Sequence, residues 1–108
     1  MSNAVYYVSY KLKKGVSVPD FLLAAEKLNN EFISKQKGYI SWNQLVDGDT
    51  WADAIIFETM DDLENFKVVS RHPSELAEKF YGFINFSAKG NKSHIFAVEK
   101  VMGAHWNG

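Results

Sequence analysis

The 108-residue chain contains no cysteine. That absence removes disulfides, zinc–thiolate sites and thiol chemistry together. No apolar run approaches the roughly 20 residues that a membrane-spanning helix requires. The opening, MSNAVYYVSYKLKK, lacks the basic start and apolar stretch of a signal peptide, so a cytoplasmic protein is expected. An excess of one charge is missing too. The net charge is −1 with acids and bases interspersed, which leaves no basic face for nucleic acid. The chain has no P-loop, no G-x-G-x-x-G and no G-x-S-x-G, and no cofactor is expected. Its three histidines are scattered without metal-ligand spacing, so no metal site is expected either.

What remains is apolar and aromatic. Hydrophobic residues make up 46% of the chain, enough for a real core, and the length fits one domain over residues 1–108. Val5 to Leu12 is β-branched and aromatic and reads as a strand. Ser17 reads as the N-cap of a helix with Pro19 in its first turn and Asp20 three residues after the cap. Phe21, Ala25, Leu28 and Phe32 form the buried stripe, widened by Leu22 and Ile33, and Gly38 reads as the C′ residue. Tyr39 to Val46 and Trp51 to Glu58 are two strands joined by the hairpin signal Asp47-Gly48-Asp49-Thr50. Thr59 with Asp62 opens a second helix, which stops near His72 because Pro73 follows. A third helix starts at Pro73, with Leu76, Phe80, Phe83 and Ile84 inward. Ser93 to Val101 is the last strand, and 102–108 is a tail carrying Trp106.

The order β-α-β-β-α-α-β predicts an α+β, ferredoxin-like fold: a four-stranded antiparallel sheet with its helices on one face. Both faces of the strands are apolar, as Tyr6, Val8, Tyr10 and Leu12 against Val5 and Tyr7 illustrate. Helices can cover only one face, and a bare apolar sheet is more than a monomer normally exposes. A homodimer is therefore expected. The alternative is a monomer whose tail covers part of that face.

In this order and pattern the chain resembles the dimeric α+β barrel superfamily, in particular antibiotic-biosynthesis-monooxygenase-like domains and their uncharacterised relatives. The resemblance runs over about residues 5–101. It rests on KLKKG before the first helix, KGYISWNQLVDGD through the second strand, and IIFETMDDLENF followed by SRHP. It implies a dimeric barrel and a hydrophobic pocket. It also implies a small cofactor-independent enzyme, monooxygenase-like or isomerase-like, acting on a small aromatic or hydrophobic molecule. Haem-degrading members carry an Asn on the first strand, a Trp ending the third and a His on the last helix. The matching places here hold Val8, Glu58 and Phe80 or Tyr81, which speaks against that chemistry.

Glu58 is the first catalytic candidate. It shares strand parity with Ala52, Ala54 and Ile56, and if that face meets the helices the alanines would border a cavity. A carboxylate there would have a raised pKa and could move a proton. Otherwise Glu58 is solvated or paired with a Lys or Arg. His72 is the second candidate, as a proton carrier at a pocket mouth or simply a helix-start residue. Tyr6, Tyr10, Trp42 and Tyr81 are candidate ligand-binding residues, because aromatics with polar tips suit a flat, partly polar ligand. They serve equally as core. Asp53, on the parity of Ile55 and Phe57, is expected to pair across a dimer interface. His94 is expected to be a packed or edge residue. A non-catalytic small-ligand binding or sensing module, or a structural dimer with a closed interior, would fit the same fold.

Overall fold

The computed structural model describes residues 2–102. Trp106 and His105 lie outside that range, as does nearly all of the expected tail. The elements are β1 (Ala4–Leu12), α1 (Val18–Glu31), β2 (Tyr39–Asp47), β3 (Thr50–Phe57), α2 (Met60–Val69), α3 (Glu75–Tyr81), β4 (Ile84–Asn85) and β5 (Lys92–Ala97). A 3₁₀ turn over Ile33–Lys35 follows α1. The sheet order is β2-β3-β1, with β4 and β5 both pairing along the far side of β1, and every pairing is antiparallel. This is the expected ferredoxin-like α+β layout, with one two-residue strand added.

Local chemistry explains the boundaries. The Ser17 hydroxyl accepts from the Asp20 N–H at 3.3 Å, and the Thr59 hydroxyl accepts from the Asp62 N–H at 3.1 Å. Each satisfies one of the amides a helix start leaves unpaired. The two-residue hairpin loop Gly48–Asp49 has φ +61° at Gly48 and no positive φ at Asp49, the backbone of a glycine-first tight turn. Between Tyr39 and Ser41 the β2–β3 register shifts, so β2 carries one residue more than its partner there.

Three expected boundaries move. The third helix starts after Pro73, with Ser74 as its cap: the hydroxyl accepts from the Ala77 N–H at 3.3 Å. Phe83 and Ile84 are not on that helix. The Phe83 carbonyl accepts from the Lys13 N–H at 2.9 Å, and Ile84 pairs with Leu12 in β4. The last strand ends at Ala97 rather than Val101. On α1, Leu22 is 40% exposed, and Ala24 takes the flank of the stripe that Leu22 was expected to fill.

The core lies between the sheet and the helices. Phe21, Phe57 and Leu63 are its fully buried large side chains. Phe21 stacks on Phe80 at 5.3 Å and meets Trp51 at 5.2 Å and Tyr10 at 6.2 Å, so one aromatic cluster ties α1, α3, β1 and β3 together.

Candidate functional site

Alternation decides which side chains meet the helices. On β3 these are Trp51, Asp53, Ile55 and Phe57, and on β1 they are Ala4, Tyr6, Val8 and Tyr10. Tyr6 sits opposite Ile55, Val8 opposite Asp53 and Tyr10 opposite Trp51. The face whose parity Glu58 shares is thus the one away from the helices, and the condition for a pocket beside Glu58 is not met. Ala52 and Ala54 lie on the outer face of the sheet and border no cavity. Glu58 follows β3 as an exposed residue whose backbone N–H donates to Gly38 at 2.7 Å.

Between the sheet and the helices is a cavity of about 570 Å³. Its floor is built by Tyr6, Val8, Tyr10, Trp42, Asp53 and Ile55 from three strands. Its roof is built by Leu28, Ile33, Phe66, Phe80 and Tyr81 from the helical layer. The four aromatic residues singled out from the sequence all line it. His72 does not. It is exposed and borders a second hollow of about 20 Å³ beside Phe32 and Pro73, room for about one water. His94 is exposed and stacks on Phe96 at 5.4 Å, away from the cavity.

Among the described residues, the one acid in the cavity wall is Asp53, 5% exposed. The Tyr10 hydroxyl donates to its Oδ1 at 2.9 Å. Burial pushes the Asp53 carboxyl up to about 6, because the charged form loses its water. The donors Tyr10 and Trp42 act in the opposite sense, favouring the carboxylate. Trp42 Nε1 nevertheless falls short of hydrogen-bond geometry. It has no partner among the described residues, nor has Gln44 Nε2, whose residue sits opposite Asp53 on β2. The phenols of Tyr10, Tyr6 and Tyr81 are all raised, first by burial, so each stays a protonated donor at neutral pH. Asp53 adds to the shift in all three.

Asp53 is thus the ionisable residue that the sequence reading placed on the wrong side of the sheet. A signal for it existed: a lone acid between Trp51 and Ile55 on an otherwise bulky inward face. A carboxyl with a pKa near 6 beside an apolar hollow is in the range useful for proton transfer near neutral pH. Among the described residues no group of three or more His, Asp or Glu side chains is placed to hold a metal ion.

No protein-family model matches the chain, and no curated protein matches it by sequence. Solved structures do match. The chain is similar to SnoaB, a cofactor-independent oxygenase from Streptomyces nogalater, with a TM-score of 0.71 over 94% of this chain and 98% of that one, at 9% identity. It is similar to ActVA-Orf6, a monooxygenase from Streptomyces coelicolor solved with nanaomycin D, with a TM-score of 0.61 over 94% and 91%, at 11% identity. It is also similar to a hydroxynitrile lyase from Passiflora edulis, with a TM-score of 0.61 over 92% and 95%, at 16% identity. At such identities the likeness is one of fold, and at that level it bears out the resemblance drawn from the sequence.

Proposed function

Taking as premise that the chain has the fold of antibiotic-biosynthesis-monooxygenase-like proteins, we propose that it is a small cofactor-independent enzyme acting on a flat, largely apolar aromatic molecule. The observation that carries this reading is a buried carboxyl in the wall of an apolar cavity, hydrogen-bonded to Tyr10. Asp53, rather than Glu58 or His72, is the proton carrier in this reading. Above about pH 6 its carboxylate removes a proton from an acidic C–H or phenolic O–H, giving the carboxylic acid and a substrate anion. Tyr10 holds the carboxylate in place, and the Trp42 N–H is a donor for the oxygen on which substrate charge collects. The anion then has two fates. Return of the proton to another carbon is an isomerisation. Reaction with dioxygen converts a ring CH₂ to a carbonyl with release of water, a monooxygenation.

Both fates share the first step, so the decisive experiment isolates it. Anthrone, a three-ring ketone with an acidic CH₂, is incubated in deuterated buffer under argon, and exchange at that carbon is followed by NMR. Exchange faster with the native protein than with Asp53→Asn is the expected result. Equal exchange removes Asp53 from the role. Oxygen uptake in air then separates the two fates. Ligand-dependent stabilisation without exchange would favour the binding-module alternative.

We also propose that two copies pair through the outer sheet face. Val5, Tyr7, Ala54 and Ile56 lie there, with Leu45 and Phe96 about half exposed. Covering such a face is favourable by roughly 25 cal/mol per Å² of apolar area before association costs. A cytoplasmic location remains part of the proposal. No helix among the described residues is long and apolar enough to cross a membrane.

A further inference from the structure

The open side of the cavity is edged by aromatic rings that water reaches. Of the large hydrophobic side chains exposed among the described residues, only Tyr81 and Phe86 also line the cavity, and Phe86 is the more exposed, at 67%. Rings run in a row from the buried end to this rim. Trp42 meets Phe80 edge-on at 5.4 Å, Phe80 meets Tyr81 at 5.9 Å, and Tyr81 meets Phe86 at 6.1 Å. Phe86 is also anchored. It opens the loop between β4 and β5, and Asn85 ties that loop down. The Asn85 Oδ1 accepts from the Ser87 N–H at 3.0 Å, and its carbonyl accepts from Asn91 Nδ2 at 2.9 Å and from the Ala88 N–H at 3.3 Å. A lone exposed phenylalanine on a surface needs no explanation. One fixed on the rim of an apolar cavity, at the end of a row of rings that starts beside Asp53, is placed to meet whatever fills the cavity.

We propose that Phe86 sets the length of ligand that the cavity prefers: its ring packs against the outermost ring of a ligand whose other end lies beside Asp53. The inference rests on the cavity being a site for a flat aromatic molecule, and adds the residue that reads the molecule's length. Volume gives the scale. At about 570 Å³ the cavity is roughly four times the ~150 Å³ hollow that holds one benzene. A single ring is best covered at the buried end, where Tyr10, Ile55 and Phe80 are each 5% exposed or less, and seated there it stops short of the rim. Three rings fused in line reach toward the rim. Contact with Phe86 is thus gained only by the longer ligand. The loop is anchored before a ligand arrives, so this contact costs little further ordering.

The test uses acetophenone, 2-acetylnaphthalene and 2-acetylanthracene, which carry the same uncharged group on one, two and three rings. Equilibrium dialysis reads the affinity of each for the native protein and for Phe86→Ala. An aromatic contact of this kind changes affinity by about three- to tenfold, so the variant should bind acetylanthracene that much more weakly. Acetophenone should bind both proteins alike. The comparison across the three probes separates loss of the ring contact from general damage to the fold, because damage weakens all three. A loss shared equally by the probes overturns the length inference. Acetylanthracene binding that is unchanged in Phe86→Ala overturns it too. In both cases the probes still bind the native protein, and the aromatic cavity stands. If no probe binds the native protein, the length inference falls together with the reading of the cavity as an aromatic site.

Discussion

Tyr10 and Asp53 are 43 residues apart in the chain, and the phenolic oxygen of one lies 2.9 Å from Oδ1 of the other. The pair exists because β1 and β3 are antiparallel neighbours with Val8 opposite Asp53, which sets Tyr10 diagonally across from the carboxyl. Cross-strand diagonals of about 7 Å are within reach of a tyrosine. The stability of the fold and the chemistry proposed for it meet in this contact, and two predictions follow from it directly.

The first concerns pH. The Asp53 carboxyl titrates near 6 in the folded chain against an ordinary value of 3.8. Between those values the folded state binds more protons than the unfolded state, so stability is greatest below about pH 4 and falls as pH rises to about 6. The drop is on the order of 3 kcal/mol for two pKa units. Asp53→Asn lacks it. The variant should be more stable than the native protein above pH 6, with the difference closing toward pH 4. Urea unfolding from pH 4 to pH 8 measures this, and a constant difference across the range would contradict it.

The second concerns Tyr10→Phe. Removing the phenolic donor takes away one of the two groups that hold the carboxyl down, so Asp53 should titrate higher still. The pH at which anthrone exchange reaches half its maximum should move upward. A hydrogen bond to an ionised partner contributes about 1.5 to 3 kcal/mol, and one to a neutral partner about 1. The loss of stability should therefore be larger at pH 8 than at pH 5. An unshifted exchange profile would mean that Tyr10 does not act on Asp53.

Phe96 offers a third. It is 50% exposed on the outer sheet face and packs edge-on against Tyr7 at 6.5 Å. If two copies pair there, Phe96→Glu places a carboxylate in the joint twice, and native mass spectrometry should move from the mass of two chains to that of one. A native protein already at one chain would end the dimer proposal.

Glycine positions give a fourth. Gly15 and Gly38 both have φ near +80°, where a side chain is strained. Among the described residues nothing lies within 4 Å of the site a Cβ would take on Gly15, whereas on Gly38 it would overlap the Asp62 carboxylate. Gly15→Ala should cost about 1 kcal/mol and Gly38→Ala clearly more, about 2 to 4 kcal/mol. Chemical denaturation of the two variants checks the ordering.

The fold was readable in the sequence because its signals are local. Ser17 and Thr59 cap the helices as their spacing predicts, and Gly48 makes the hairpin. The third helix was less readable. Phe80, Phe83 and Ile84 satisfy a helical stripe and a short strand alike, and only pairing with Leu12 decides for the strand. Of the site, the aromatic walls were legible from parity within each strand. The proton carrier was not. Parity divides β3 into two sets, but which set meets the helices depends on packing across the sheet. The small side chains of Ala52 and Ala54 pointed the wrong way: they lie outward, and the hollow is beside the large ones.

The extra residue in β2 has a consequence for how this site can change. Tyr39 lies opposite Phe57 and Trp42 opposite Ile55, so both ends of that stretch face the helices although they are an odd number of residues apart. The strand changes phase at Ile40. Everything after it, Trp42 and Gln44 included, pairs without interruption up to the hairpin, and the extra residue absorbs the mismatch with Tyr39. Deleting Ile40 would remove the bulge and let Tyr39, Ser41 and Trp42 pair one-to-one with Phe57, Ile56 and Ile55, with Trp42 still inward and Asn43 still outward. The indole beside Asp53 is therefore placed by its count from the hairpin at Gly48, and the bulge insulates it from a change in the number of residues that precede it.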